Sequence, residues 1–320
     1  MKKIFLSTFV AGSLLFGATI KDGHLAIDNQ NYGQAVTIFH DLATKGDVEA
    51  MFNLGLLYLS GDGINQNYSE AKKWFEIAAK QNDTMSLYNL GVIYNKGLGV
   101  KEDKKEAFKY YDLSAKQGYS QAQYMAGTML EKGEGTKKDL KEAFNYFLKA
   151  ANQEHANAAY KVGKMYRLGE GVIKDDNEAF KWYEVSSKKD NAFAQANLGL
   201  MYKNGISVPQ NYNEALKLFE KSANSKNTLG QLNLASMYHN GLGVQKDFVE
   251  AFRLYKMAAD DGNNSNAQFN VGLMYLKGEG VTQNNEKGFE YWTKSSNQGN
   301  EVAKKNLDIL CKESPTVCKK

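Results

Sequence analysis

Proline, cysteine and histidine are all scarce in this 320-residue chain, and each scarcity excludes something. The two prolines are Pro209 and Pro315, and no strand-like run bounded by turn residues appears, which argues against a β architecture. The four histidines, His24, His40, His155 and His239, lie far apart and share no metal-ligand spacing, so no metal site is expected. Cys311 and Cys318, the only cysteines, have no histidine beside them and are too few to hold zinc. The formal net charge of +4 is slight and evenly spread, which argues against a nucleic-acid or acidic-membrane partner. The G-x-G triplets follow no strand and lack a third glycine or a lysine placed for phosphate, so no nucleotide cofactor is expected.

What the chain has in abundance is repetition. Gly55, Gly91, Gly127, Gly163 and Gly199 recur every 36 residues; Ala235 continues the series and, after one inserted residue, Gly272. Three residues beyond each stand Tyr58, Tyr94, Leu130, Tyr166, Tyr202, Tyr238 and Tyr275. A second glycine closes each half-repeat, at Gly61, Gly97, Gly133, Gly169, Gly205, Gly241 and Gly278. A fixed period of this length means stacked supersecondary units.

Each half-repeat reads as a helix. In the first, Ser86, Leu90 and Tyr94 lie four apart with Ile93 beside them, an apolar stripe of helical period. Gly91 beside that stripe implies the close passage of a neighbouring helix backbone, and Gly97 suits the left-handed position that ends a helix. The second half opens at Asp103 with Glu106 three residues on, the spacing of a capping box. The pattern returns at Asn67/Glu70, Asp139/Glu142, Asp175/Glu178, Asn211/Glu214 and Asp247/Glu250. Ala107, Tyr110, Tyr111 and Ala115 then fall on helical spacing. Trp74, Trp182 and Trp292 occupy helix positions held elsewhere by Tyr or Leu and are expected in the core. An antiparallel helix pair cannot bury its apolar faces alone, so neighbours must stack on one continuous core. The pattern predicts an all-α, right-handed α/α solenoid: seven helix pairs over 47–299, an incomplete N-terminal repeat at 19–46 and a cap helix at 300–320. The single insertion is expected as loop near Asn263–Asn266.

The phrase A-x-x-x-L-G-x-x-Y-x-x-G-x-G-V followed by D-x-x-x-A-x-x-W/Y-Y, closely matched at Ala50–Ile64 and Ala158–Val172, resembles the Sel-one-like repeat (SLR) family, relatives of the tetratricopeptide repeats. The resemblance runs from Asn31 to about Leu310, with departures at Leu130, Ser207 and Ala235. It implies a scaffold for protein or peptide partners, with the first helices lining a concave surface.

Both ends carry further signals. Residues 1–18 read as a secretory signal: Lys2 and Lys3, an apolar run from Ile4 to Phe16, then small residues. The run is shorter than the roughly 20 residues needed to span a bilayer, and no cysteine follows it to take a lipid. Loss of Lys2 and Lys3 lowers the charge from +4 to +2, and the mature chain is expected in the periplasm or outside the cell. In an oxidising compartment the spacing of Cys311 and Cys318 predicts a disulfide fastening the tail to the last helix.

Two functions are open at this point. Two residues before each repeat glycine stand Asn53, Asn89, Met125, Lys161, Asn197, Asn233, Asn270 and Asn306, on a helix face turned away from the packing stripe. By resemblance to the asparagines of tetratricopeptide clamps, this column would hydrogen-bond an extended peptide; alternatively it would bridge adjacent helices. The chain is also similar to the Helicobacter cysteine-rich proteins, SLR proteins for which β-lactam binding or β-lactamase activity has been proposed. That activity would need S-x-x-K with S-D-N and K-T-G elements. Ser69/Lys72 and Ser186/Lys189 match the first, and the other two elements are absent. No catalytic residue is assigned, and an exported protein-interaction scaffold is the expected function.

Overall fold

The computed structural model describes residues 17–313 and Cys318. The expected signal segment lies outside the described residues except for its last two, and Pro315 also lies outside them. The chain divides into two compact units, Met1–Lys149 and Ala150–Lys320. The first holds α1 (Ile20–Asp28), α2 (Tyr32–Thr44), α3 (Val48–Ser60), α4 (Tyr68–Lys80), α5 (Thr84–Lys96), α6 (Lys104–Lys116), α7 (Ser120–Lys132) and most of α8 (Leu140–Ala151). The second holds α9 (Ala156–Leu168), α10 (Asp176–Ser187), α11 (Ala192–Asn204), α12 (Tyr212–Asn224), α13 (Thr228–Asn240), α14 (Phe248–Asp260), α15 (Ser265–Lys277), α16 (Asn285–Asn297) and α17 (Glu301–Glu313). No strand occurs among the described residues, and within each unit neighbouring helices such as α5 and α6 or α15 and α16 pack on one another as the pairs of an α/α solenoid. Within each unit the core runs from repeat to repeat as clusters that share residues at their margins, Tyr58 in the N-terminal unit and Tyr202 in the C-terminal unit, because each repeat buries its face mainly against its neighbours.

The repeat glycines of the first helices face an aromatic ring, and at Gly127, Gly163 and Gly272 the expected neighbouring backbone as well, where an added Cβ would meet a second-helix carbonyl at 3.0–3.2 Å. Phe75, Tyr111, Phe147, Tyr183 and Phe219 of the second helices are at most 1% exposed. They pack against Gly55, Gly91, Gly127, Gly163 and Gly199, where an added Cβ would meet the ring at 2.6–2.9 Å. Burying one such ring contributes roughly 1.5–3 kcal/mol, and a side chain on the glycine would force the ring out of place.

The capping boxes are only half formed. Asp103 accepts from the backbone N–H groups of Lys105 and Glu106 at 2.9 and 3.0 Å, as an N-cap should. Its own N–H is already taken, donated to the carbonyl of Tyr94 at 2.9 Å. The same bond joins Asn67 to Tyr58, Asp139 to Leu130, Asp175 to Tyr166, Asn211 to Tyr202, Asp247 to Tyr238 and Asn284 to Tyr275. Glu106 therefore has no cap N–H to accept and pairs with Lys109 at 2.9 Å. The bond that closes each G-x-G loop uses backbone atoms only, which is why Leu130 can stand in the tyrosine column. A reciprocal box forms at α1, between Thr19 and Asp22.

Three other expectations shift. The incomplete N-terminal repeat holds two helices, of which α1 begins at Ile20, and Gly23 faces the Phe39 ring as Gly91 faces Tyr111. What it lacks is the long G-x-G connection, replaced by residues 29–31. The insertion falls within 261–264, and Ser265 and Asn266 already belong to α15. Ser207, in place of a loop glycine, takes the same left-handed backbone (φ 61°) as Gly99 (φ 66°).

At the C-terminus Ala303 is fully buried. Cys311 in the last turn of α17 meets Cys318, with a Cα–Cα distance of 5.6 Å and the sulfurs at bonding distance. No helix among the described residues is long and apolar enough to cross a membrane.

Candidate interaction face

In the N-terminal unit Asn53 and Asn89 stand at the same register of α3 and α5. In the C-terminal unit Lys161, Asn197, Asn233 and Asn270 do so on α9, α11, α13 and α15. Asn53 and Asn233 are 8% exposed and the others half-buried. The bridging of adjacent helices weighed above is seen at Asn233, which accepts from Lys203 of α11, and not at the other carboxamides among the described residues. Each turns its Nδ2 back onto the carbonyl four residues earlier in its own helix: Asn53 to Glu49 at 2.8 Å, Asn89 to Met85 at 2.9 Å, Asn197 to Phe193 at 2.8 Å, Asn233 to Leu229 at 2.9 Å and Asn270 to Asn266 at 2.9 Å. The donor half of the amide is thereby fixed, and Oδ1 of Asn53, Asn89, Asn197 and Asn270 has no partner among the described residues. The result is a row of oriented acceptors.

Between consecutive first helices of the C-terminal unit lies a second row that sequence reading missed. Lys203 on α11 reaches Asn233 on α13, Nζ to Oδ1 at 3.5 Å, and burial lowers the affinity of its amine for a proton. Arg167 and His239 hold the same register on α9 and α13. Nη1 of Arg167 is buried without a hydrogen-bond partner. His239 lies 2.9 Å from the Glu279 carboxylate, with its ring on Phe248. The signal was present in the sequence, but only in charges counted register by register.

The two S-x-x-K pairs do not form catalytic sites. Ser186 is fully buried and donates its hydroxyl to the carbonyl of Ala156 at 2.8 Å, while Lys189 pairs with Glu154 at 2.6 Å. Ser186 belongs to a structural column: Ser114, Ser222 and Ser295 bond Thr84, Ala192 and Ser265 in the same way at 2.7–2.8 Å. Ser69 sits in the first turn of α4, with its N–H held by Asn67, and Lys72 turns to Glu76 at 2.7 Å. Among the described residues neither serine has a base directed at its hydroxyl, which removes the geometric support for a nucleophile. Among the described residues no cluster of His, Cys, Asp and Glu could hold a metal ion. His155 caps α9 through Nδ1, and burial disfavours its protonation.

The model of the Sel1 repeat matches seven segments: 48–83, 84–119, 120–155, 156–191, 192–227, 228–263 and 265–300. Among solved structures, a protective antigen of uropathogenic Escherichia coli strains with an SLR fold is 33% identical over 87% of this chain, with a TM-score of 0.76. The present chain spans 60% of that structure's length. A Sel1 repeat protein from Oxalobacter formigenes is 27% identical over 90% of this chain and 85% of its own, with a TM-score of 0.67. Among curated proteins none matches the sequence. With seven matched repeats covering most of its length, the chain belongs to the Sel1 repeat family.

Proposed function

We propose that this protein is an exported interaction scaffold, and that the asparagine-bearing face of its first helices holds an extended peptide or protein segment. The carrying observation is the carboxamide geometry. Five asparagines are pinned through Nδ2 to their own helices, which leaves Oδ1 of Asn53, Asn89, Asn197 and Asn270 as acceptors at a constant register, with that of Asn233 reached by Lys203. An extended backbone offers N–H donors at regular intervals, and such acceptors suit it without reorganisation. Export rests on the basic and apolar residues at the start of the sequence. The Escherichia coli relative is a protective antigen, which is in keeping with export.

Crosslinking in envelope fractions, followed by capture on the tagged mature chain, tests the binding role. Partners should be retained by the native chain and lost from an Asn197→Ala/Asn233→Ala variant, each lost bond weakening binding by about 1 kcal/mol. Identical capture by both chains would rule the face out. In exported protein Cys311 and Cys318 are expected to be joined. Intact mass should then rise by two protons on reduction, and a mass insensitive to reductant would contradict the bond.

A further inference from the structure

The first helices α9, α11, α13 and α15 contain Lys161, Lys164, Arg167, Lys203 and Lys277 but no aspartate or glutamate. From a loop Glu279 approaches His239 at 2.9 Å and Lys277 at 3.8 Å. Arg167 and Lys203 form no ion pair among the described residues, and both are half-buried. A desolvated cation without a carboxylate is costly, and an anion from outside the protein would relieve that cost.

The placement of these two cations limits what that anion belongs to. Lys203 reaches Oδ1 of Asn233 thirty residues further on, and Arg167 and Asn197 repeat that spacing on α9 and α11, with Oδ1 of Asn197 left without a partner among the described residues. A phosphodiester backbone has no donor for those acceptors, whereas a peptide backbone does. Two apolar side chains accompany them: Phe193, 56% exposed at the foot of the Asn197 column, and Leu168, 54% exposed at the end of α9. A guanidinium also matches a carboxylate in bidentate geometry.

We propose that the first-helix face of the C-terminal unit recognises an acidic peptide segment. Arg167 and Lys203 pair with its carboxylates, Asn197 and Asn233 hold its backbone, and Phe193 packs on an apolar residue within it. The inference rests on the interaction-face reading above and adds the charge of the partner.

Fluorescence anisotropy of the mature chain with short labelled peptides decides it. A glutamate-rich peptide containing one leucine is compared with its glutamine and lysine counterparts at low and high salt. The glutamate peptide should bind about tenfold tighter than the glutamine one, a gap that narrows with salt and closes in an Arg167→Gln/Lys203→Gln variant. If that variant fails to fold, the glutamate-to-glutamine ratio on the native chain decides alone. Equal binding of both peptides, still lost in Asn197→Ala/Asn233→Ala, would overturn the charge assignment and leave the peptide face standing. Binding of none would overturn both. Preference for a single-stranded oligonucleotide over the glutamate peptide would overturn the peptide assignment.

Discussion

In the N-terminal unit the first helices α3, α5 and α7 balance Lys96 and Lys132 against Glu49 and Glu131 and α1 adds Lys21 with Asp22 and Asp28, whereas α9, α11, α13 and α15 carry five cations and no acid. Elsewhere the two units are built alike. Gly91 takes the Tyr111 ring as Gly163 takes Tyr183, and the N–H of Asp103 closes on Tyr94 as that of Asp175 closes on Tyr166. Ser114 bonds Thr84 as Ser222 bonds Ala192. One set of register positions therefore carries the fold and is held constant, and another is free of packing and varies. The variable set is where recognition would be written.

The largest effect should come from the constant set, and it should be the same in both units. Phe75→Ala and Phe219→Ala each remove a fully buried ring, and each should cost about 3–5 kcal/mol in denaturant unfolding. Losses differing by more than about 1 kcal/mol would break the claim of equivalent packing. A smaller contrast comes from exchanging loop residues. Gly99→Ser in the N-terminal unit should destabilise by roughly 1–3 kcal/mol, because the new Cβ would stand 2.6 Å from Cβ of Tyr68 in a left-handed backbone. The reverse change, Ser207→Gly, should stabilise by about 1 kcal/mol, since a residue already strained at positive φ is relieved. A thermal melt of each single variant checks the opposite signs.

The helix pairs and their limits were legible in the sequence because both helix faces and both loop glycines repeat at one period. The partners of individual groups were not. Gly91 and Tyr111 are each visible in the sequence, but that the ring lies on the glycine follows only from the crossing of the two helices. Glu106 obeys the capping-box spacing, yet a carbonyl nine residues before Asp103 reaches the cap N–H first. The asparagine column was found by register, while its bond to the fourth residue back depends on a side-chain rotamer that spacing cannot reveal. The cationic row was missed because net charge was summed along the chain, where Arg167 and Lys203 are cancelled by acids on other faces.

Whether the asparagines serve the ligand or the architecture is the point on which the functional reading turns. A thermal melt of Asn197→Ala/Asn233→Ala, run beside the capture experiment, addresses it most directly. Each substitution loses a bond to its own helix, which stabilises helices little, and Asn233→Ala also loses the long contact from Lys203, against a gain of about 0.5 kcal/mol of helix propensity at each position. The melting temperature is therefore expected to stay level or rise slightly while capture falls. A melting temperature lowered by several degrees with capture intact would contradict the account and make the column a structural one.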